Sequence, residues 1–473
     1  LSPLMLDILR KIKAHKVDVC LFGMCKKKLV DGYTNMIYNR PYTQATYHAS
    51  YLNETPHWHY SMVAGELDDM TADDLQDFAD HAFDTTYIKM IMAGNFYEQD
   101  ALDTAKKVEE VLNSKPLPLY KRDEPLVPIF DTGHFFVMSS VPDKNCRENA
   151  IICQFQCNIG FDPAQNCIRF LLAKILYEPF FDQLRTKEQL GYLLGVNGKR
   201  LQQAKGTISF GLQGSFNPAY MTMRINHFLR NYRQVLVDYE DAELDRTIQL
   251  ITEAWKENHK SISDEARAHW EHVVGGDYAF NYNRGNVDIM SKVTKQDLIE
   301  FWDKHINPAT SPCYSRINYQ MWASTAYKPT TEEITSFPLA IIAIHGCLRQ
   351  EGLDCISVSD VAGIIDAVGK SATVDSVLDT IKKLCLEVPD IDKAFEKISD
   401  AKSKVRTAIE MALDKTNSIF KYPSARASEL ESIGMHQLQD GRWEVEDQKA
   451  FKSFYPLSNP TVPTRRLVPK YDS

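Results

Sequence analysis

The run R-A-H-W-E-H-V-V-G-G, Arg267 to Gly276, puts two histidines and a glutamate into four positions. On a helix His269 and His272 share a face, so spacing alone permits a common metal. Zinc-dependent hydrolases use H-E-x-x-H or the inverted H-x-x-E-H, with the histidines four apart. The inverted form needs histidine at position 268, which here is Ala268, and neither motif occurs complete anywhere in the 473 residues. A third ligand is not evident, and Trp270 suggests a helix face packed against neighbours. We read the run as no metal site.

More specific chemistry lies upstream, in E-P-F-F-D-Q-L-R-T-K-E-Q-L-G-Y, Glu178 to Tyr192. Amphipathic helix spacing runs into Gly191, a helix-stop residue, and the chain leaves as an apolar strand. Arg185 and Tyr192 are seven apart, close to two helical turns, so both can emerge toward one side. One is a fixed cation and forked donor, the other a phenolic donor. Such a pair suits a peptide carbonyl that becomes a charged tetrahedral intermediate. The bland alternative is an arginine paired with a nearby carboxylate and a tyrosine that opens a strand. On the residues alone, that alternative carries more weight.

The chain that must position these residues has 44% hydrophobic and 25% charged residues, ordinary for a soluble globular protein. Its length is a prior for roughly two to four domains. The net charge of −9 argues against nucleic acid as a partner. The ten cysteines show no metal or disulfide spacing. Cys153 and Cys157, in I-I-C-Q-F-Q-C, alternate with Phe155 onto one face of a strand, as small buried hydrophobes in a reducing compartment. The longest apolar run, Phe337 to Leu348, is too short to cross a bilayer. The chain opens on Leu1, so it reads as a fragment or processed piece whose N-terminus says nothing of targeting.

Residues 1–114 read mainly as helices, including Leu4 to Lys13, Met24 to Tyr38 and a stretch N-capped by Thr71. Y-I-K-M-I-M-A-G-N, Tyr87 to Asn95, has a strand-like alternation. A proline-rich linker follows at 115–130. From 131 to 329 the pattern changes to strands (H-F-F-V-M-S-S, A-I-I-C-Q-F-Q-C, L-G-Y-L-L-G-V, G-T-I-S-F-G-L-Q-G, P-C-Y-S-R-I-N-Y-Q-M-W) with long helices between them. One sheet packed against a helical layer is the α+β outcome. Residues 330–427 are mostly helical, with an apolar seam from Ile391 to Ile409 that could fold as a hairpin on the body or serve as an interaction arm. We expect this block to be a separate appendage, removable without unfolding the rest. A tail at 428–473 reads as proline-punctuated and extended.

L-R-T-K-E-Q-L-G-Y resembles the signature in the C-terminal half of insulin-degrading enzyme and its relatives, the insulinase-type inverted-motif zinc metallopeptidases. N-R-P-Y-T-Q-A-T-Y-H-A-S-Y-L with Trp58 is similar to the end of that family's third domain. The element order from Phe135 to Trp322 is similar to its fourth domain, and V-E-D-Q-K-A-F-K-S-F-Y-P-L to its closing segment. The resemblance covers residues 1 to about 325 and roughly 440 to 470. It implies an α+β chain with the later part of a third domain at 1–114, a linker at 115–130, a complete fourth domain at 131–329, a helical insertion at 330–427 and a tail at 428–473.

The resemblance also implies an activity. The zinc motif belongs to the first domain, which this chain does not contain. Two histidines and a glutamate there hold zinc, and a further glutamate activates water. By carry-over, Arg185 and Tyr192 match the pair that reaches substrate at the zinc, and Phe181 an aromatic lining the pocket beyond the scissile bond. The chain is then the non-zinc half of an insulysin-like metalloendopeptidase, inactive and binding no zinc by itself. Its expected partners are peptide substrates and the N-terminal zinc-binding half, with a homo-oligomer allowed and neither nucleic acid nor membrane involved. The cytosol is the default compartment. A catalytically silent relative, acting as an interaction or structural subunit, is the alternative. The basic cluster of a polyanion-activated family member is diluted here to Lys256, His259 and Lys260 around Glu257, which puts polyanion activation in doubt.

Overall fold

In Asn149–Cys157, alternate side chains point to opposite faces of a strand with both faces covered, so every residue of the strand is buried. The computed structural model describes residues 2–118, 121–122, 126–157, 162–200, 206–307, 315–368, 373–386, 388, 391–414, 427–438 and 441–458. Parts of the linker, of the helical block and of the tail, and the start of the last expected long strand, lie outside the described residues.

In chain order the strands are β1 (Thr85–Thr86), β2 (Lys115–Pro116), β3 (Gly133–Ser140), β4 (Asn149–Cys157), β5 (Leu193–Arg200), β6 (Gly206–Gly214), β7 (Ser315–Trp322), β8 (His436–Gln437) and β9 (Trp443–Glu444). Seven of them form one sheet in the order β5-β6-β4-β7-β3-β9-β8. Strand β3 is parallel to β7 and β9, while the other neighbours are antiparallel. The chain is α+β, as its pattern predicts.

The alternation sorts the core into two layers. Phe136, Ile151, Cys153 and Phe155 join one cluster with Leu172 and Leu176 of the helix Pro163–Phe181, Leu229 of the helix Pro218–Val237 and Trp302 of the helix Lys295–His305. Phe135, Val137, Ile152 and Tyr319 face the other way, onto Ala45, Ala49 and Leu52 of the helix Pro41–Asn53 and Phe451 of the helix Gln448–Phe454. Each of the buried leucines, isoleucines, valines and phenylalanines among them stabilises the fold by about 1.5–3 kcal/mol relative to exposure. Cys153 and Cys157 are fully buried, and burial pushes their thiols up to about 11 and about 12. They behave as small hydrophobes.

The first section is helical, as expected, and Thr71 caps the helix Ala72–His81 in a reciprocal capping box with Asp74. The second helix begins earlier than expected, at Val19, because Asp18 accepts the Leu21 N–H at 2.9 Å. The strand expected at Tyr87 to Asn95 does not form. Only β1 pairs, with β2, and Tyr87, Ile88 and Met90 are exposed. An alternating segment makes a strand only where a neighbour takes up its N–H and C=O groups, and among the described residues none pairs with this one. Among the described residues the section's own apolar cluster buries Leu6, Val108 and Leu112, with Leu9, Phe83 and Val111 partly buried against them.

The tail is not simply extended. After the helix Ala427–Ser432 it adds β8 and β9 to the sheet, with Trp443 fully buried against Phe135 and neighbours. A fully buried indole supplies the apolar surface that holds two such short strands.

The expectation of a separate helical appendage is also corrected. The helix Leu339–Gln350 is buried at every residue from Ile341 to Leu348, and its side chains belong to the same cluster as Leu171 of the helix Pro163–Phe181 and Phe210 of β6. It lies on the helix Pro218–Val237, where a Cβ on Gly346 would stand 2.5 Å from Asn217 Nδ2. Gln350 Nε2 donates to the Ser215 carbonyl at 2.7 Å. The seam further on splits into Ile391–Ser399 and Lys404–Leu413, burying Phe395, Ile398, Val405 and Ile409. These helices pack on the body rather than forming an arm.

Candidate functional site

The helix Pro163–Phe181 starts where Asp162 accepts the Ala164 N–H at 2.8 Å, with Pro163 in the first helical position. Ile168, Leu171, Leu172, Ile175 and Leu176 hold it on the sheet. From Asp182 to Lys187 the coil widens into a π turn, in which the Glu188 N–H donates to the Gln183 carbonyl at 3.0 Å. Such turns are frequent at functional sites, because they re-aim side chains without breaking the helix.

The turn carries Arg185 between two rings. Its guanidinium carbon lies 4.6 Å from the Phe181 ring centroid and 4.2 Å from that of Tyr192. Tyr177 extends the ladder, stacking on Phe181 with centroids 6.3 Å apart and planes at 24°. Among the described residues Arg185 makes no ion pair, so the carboxylate partner of the bland alternative is absent there. The Tyr192 side chain is 73% exposed. Phe181, Arg185 and Tyr192 therefore stand together on one surface, with a cation and a phenol available to an oxygen that gains charge.

Two devices fix the ladder. Gly191 and Gly214 pass so closely that a Cβ on the first would be 1.9 Å from the Gln213 carbonyl oxygen, and one on the second 1.9 Å from that of Leu190. Only glycine fits either place. Glu188, three residues beyond Arg185, accepts from Arg224 Nε at 2.6 Å and Nη2 at 2.7 Å, and from Gln183 Nε2 at 2.7 Å. The Arg224 and Glu188 side chains are only 9% and 12% exposed. Lys404 Nζ donates to the Glu188 carbonyl at 2.5 Å, so the helical block also braces the turn. Burial lowers the Lys404 pKa while the Glu188 charge opposes that shift.

Arg224→Ala should cost about 3–5 kcal/mol, because it leaves the largely buried Glu188 carboxylate without its bidentate partner. Chemical denaturation of the purified chain measures this. A loss below about 1 kcal/mol would mean that water replaces the guanidinium and that the pair does not hold the turn.

The two histidines of H-W-E-H lie on the helix Ile262–Gly275. His272 Nδ1 is 2.8 Å from Asp277 Oδ1, and the His269 ring packs edge-on to Phe280 at 5.3 Å. No group of three His, Cys, Asp or Glu side chains able to hold a metal occurs among the described residues. Trp270, expected against neighbours, is instead 39% exposed. Lys256, His259 and Lys260 are exposed where the helix Asp241–Lys256 ends.

Sequence reasoning missed Tyr177 and the Glu188–Arg224 pair. Tyr177 carried a legible signal, since 177, 181 and 185 follow one another at helical i, i+4 spacing. The ion pair spans 36 positions and leaves no local trace.

Comparison with known proteins bears on the fold and on the relatives of the chain. Residues 171–270 match the family described as PQQ synthase PqqF-like, C-terminal lobe domain 4. The chain is 24% identical to the peroxisomal insulin-degrading enzyme-like 1 of Arabidopsis thaliana, over 65% of this chain and 32% of that protein. It is 26% identical to the insulin-degrading enzyme of Mus musculus, over 64% of this chain and 30% of that protein. The crystal structure of pitrilysin shares the fold, with a TM-score of 0.59 at 18% identity over 68% of this chain and 33% of that one. The chain spans about a third of the length of the curated relatives it matches. It is homologous to insulin-degrading enzymes and insulin-degrading-enzyme-like proteins. No helix among the described residues is long and apolar enough to cross a membrane.

Proposed function

We propose that this chain is the non-zinc C-terminal half of an insulysin-like zinc metalloendopeptidase, which lines a chamber for peptides and presents Arg185 and Tyr192 to the bond being cut. The observation that carries the reading is the ladder of Phe181, Arg185 and Tyr192, with the guanidinium half-buried 4.2 Å from the ring of the exposed tyrosine. A peptide carbonyl under attack shifts negative charge onto its oxygen, and a guanidinium and a phenol held in place beforehand stabilise that charge without reorganising. Phe181 supplies an apolar wall beside them for a substrate side chain.

Among the described residues no group of three His, Cys, Asp or Glu side chains could hold a metal, and the reading places zinc in a separate N-terminal half. The first section supports a large missing partner body. Leu4, Ile8, Ile12, Leu21, Met24 and Phe78 are exposed, more apolar surface than helices with so small a cluster of their own normally leave in water. An independent interaction subunit is expected to cover such a face with polar residues.

The coding sequence upstream of Leu1 tests the proposal: an in-frame H-x-x-E-H segment is expected. Its absence, with a start codon directly before this chain, would favour the silent subunit. The purified chain should also retain no stoichiometric zinc after dialysis, by atomic absorption. Tight zinc that disappears in both His269→Ala and His272→Ala would overturn the reading of the H-W-E-H run.

A further inference from the structure

In the helical block, two thiols from separate elements meet. Cys355 and Cys385 have their sulfurs 2.9 Å apart, across 30 positions of sequence. Cys355 is exposed and Cys385 is buried. Each sits on an anchored piece of backbone. Cys355 lies in the turn after the helix Leu339–Gln350, between the fully buried Leu353 and the nearly buried Ile356. The next helix is capped just beyond it, where the Ser357 N–H donates to Asp360 Oδ2 at 2.9 Å. Cys385 ends the helix Val374–Leu384, its N–H donating to the Lys382 carbonyl at 3.2 Å and its carbonyl accepting the Val388 N–H at 3.0 Å.

We propose that Cys355 and Cys385 are a redox site, closing to a disulfide that staples the turn at Cys355 to the end of the helix Val374–Leu384 and opening again on reduction. Paired thiols held this close by fixed backbone need no rearrangement of the fold to bond. The inference does not depend on the peptidase reading.

The oxidant is a small-molecule disulfide such as glutathione disulfide. The Cys355 thiolate attacks one of its sulfurs, forming a mixed disulfide and releasing one small thiolate, which takes up a proton. Cys385 then gives its proton to solvent and attacks the Cys355 sulfur, and the second small thiol departs. One small disulfide is reduced to two thiols as the protein dithiol becomes a disulfide. Exposure makes Cys355 the sulfur that the oxidant reaches. Burial first, and the neighbouring Cys355 second, push the Cys385 thiol up to about 12, so little of it is thiolate and the second step relies on the 2.9 Å approach of the two sulfurs.

The staple bears on the rest of the chain. It closes a loop that holds the helices Val358–Val368 and Val374–Leu384. Asp375 of the second accepts from Arg406 Nη1 at 2.8 Å, and Arg406 belongs to the helix Lys404–Leu413 that braces Glu188. Oxidation should therefore slow opening of this part of the block, since the crosslink restricts its unfolded forms.

The test uses the full chain, oxidised with glutathione disulfide or reduced with dithiothreitol. Free thiols are then blocked, and the chain is digested without reductant. The expected product is a peptide pair joined through Cys355 and Cys385, lighter by two hydrogens than its separate parts and lost on reduction. Limited trypsin digestion of the oxidised chain should release fragments of the block about tenfold more slowly. Cys355→Ser, at an exposed position, should keep the fold and abolish both effects, as should Cys385→Ala. If Cys385→Ala does not fold, Cys355→Ser decides alone. A lasting glutathione adduct on Cys355 would overturn the proposal, and so would linkage of Cys355 to the exposed Cys20 or Cys25 in place of Cys385.

Discussion

In the proposed two-half enzyme, Arg185→Ala and Tyr192→Phe should each lower peptide turnover by about ten- to a thousandfold, the range for loss of one donor to a charged intermediate. The two losses have different chemical meanings. Arg185→Ala removes the cation and also the group that separates the Phe181 and Tyr192 rings, at 4.6 and 4.2 Å. Tyr192→Phe removes only a hydroxyl and leaves the ring as a shelf for the guanidinium. The tyrosine variant should therefore lower kcat with KM nearly unchanged, whereas the arginine variant should change both. Zinc content should match the parent in each, because neither residue is placed as a ligand. Parental rates in both variants would remove these residues from the chemistry.

Deleting residues 331–413 behind a short linker should abolish cooperative folding. Ile341, Ile342, Ile344 and Leu348 are at most 5% exposed and lie in the cluster that fills one face of the sheet. At about 1.5–3 kcal/mol each, these four side chains account for roughly 6–12 kcal/mol, comparable with the whole stability of an ordinary domain. The deletion would also remove Lys404, which braces the carbonyl of Glu188. Thermal unfolding followed by circular dichroism reads the outcome. A sharp transition close to that of the parent would restore the idea of a separate appendage. A milder probe is Leu348→Ala, expected to cost about 2–5 kcal/mol.

The contrast between these two sites shows what a sequence carries locally. Strand alternation placed Cys153, Phe155 and Cys157 together because period two is an adjacent-residue property. Helical spacing put Phe181 below Arg185, and a stop at Gly191 turned Tyr192 back toward them. The π turn was not legible, since no residue type demands one. Neither was the Glu188–Arg224 anchor, whose members meet only when the helix Pro218–Val237 crosses the turn. The helical block did carry a signal. Leu339–Gln350 is apolar on nearly every side, and a helix hydrophobic all round is a buried one. The strand expected at Tyr87 to Asn95 failed for the converse reason, because alternation describes a surface that a neighbouring strand must complete.

The most direct test of the central claim is a fluorogenic-peptide assay of three samples: this chain, the proposed zinc-binding half, and the two together. Negligible hydrolysis is expected from either half alone, and zinc-dependent turnover from the mixture. That turnover should fall about ten- to a thousandfold when this chain carries Arg185→Ala. Hydrolysis by the zinc half alone at the rate of the mixture, or a mixture indifferent to Arg185→Ala, would contradict that claim.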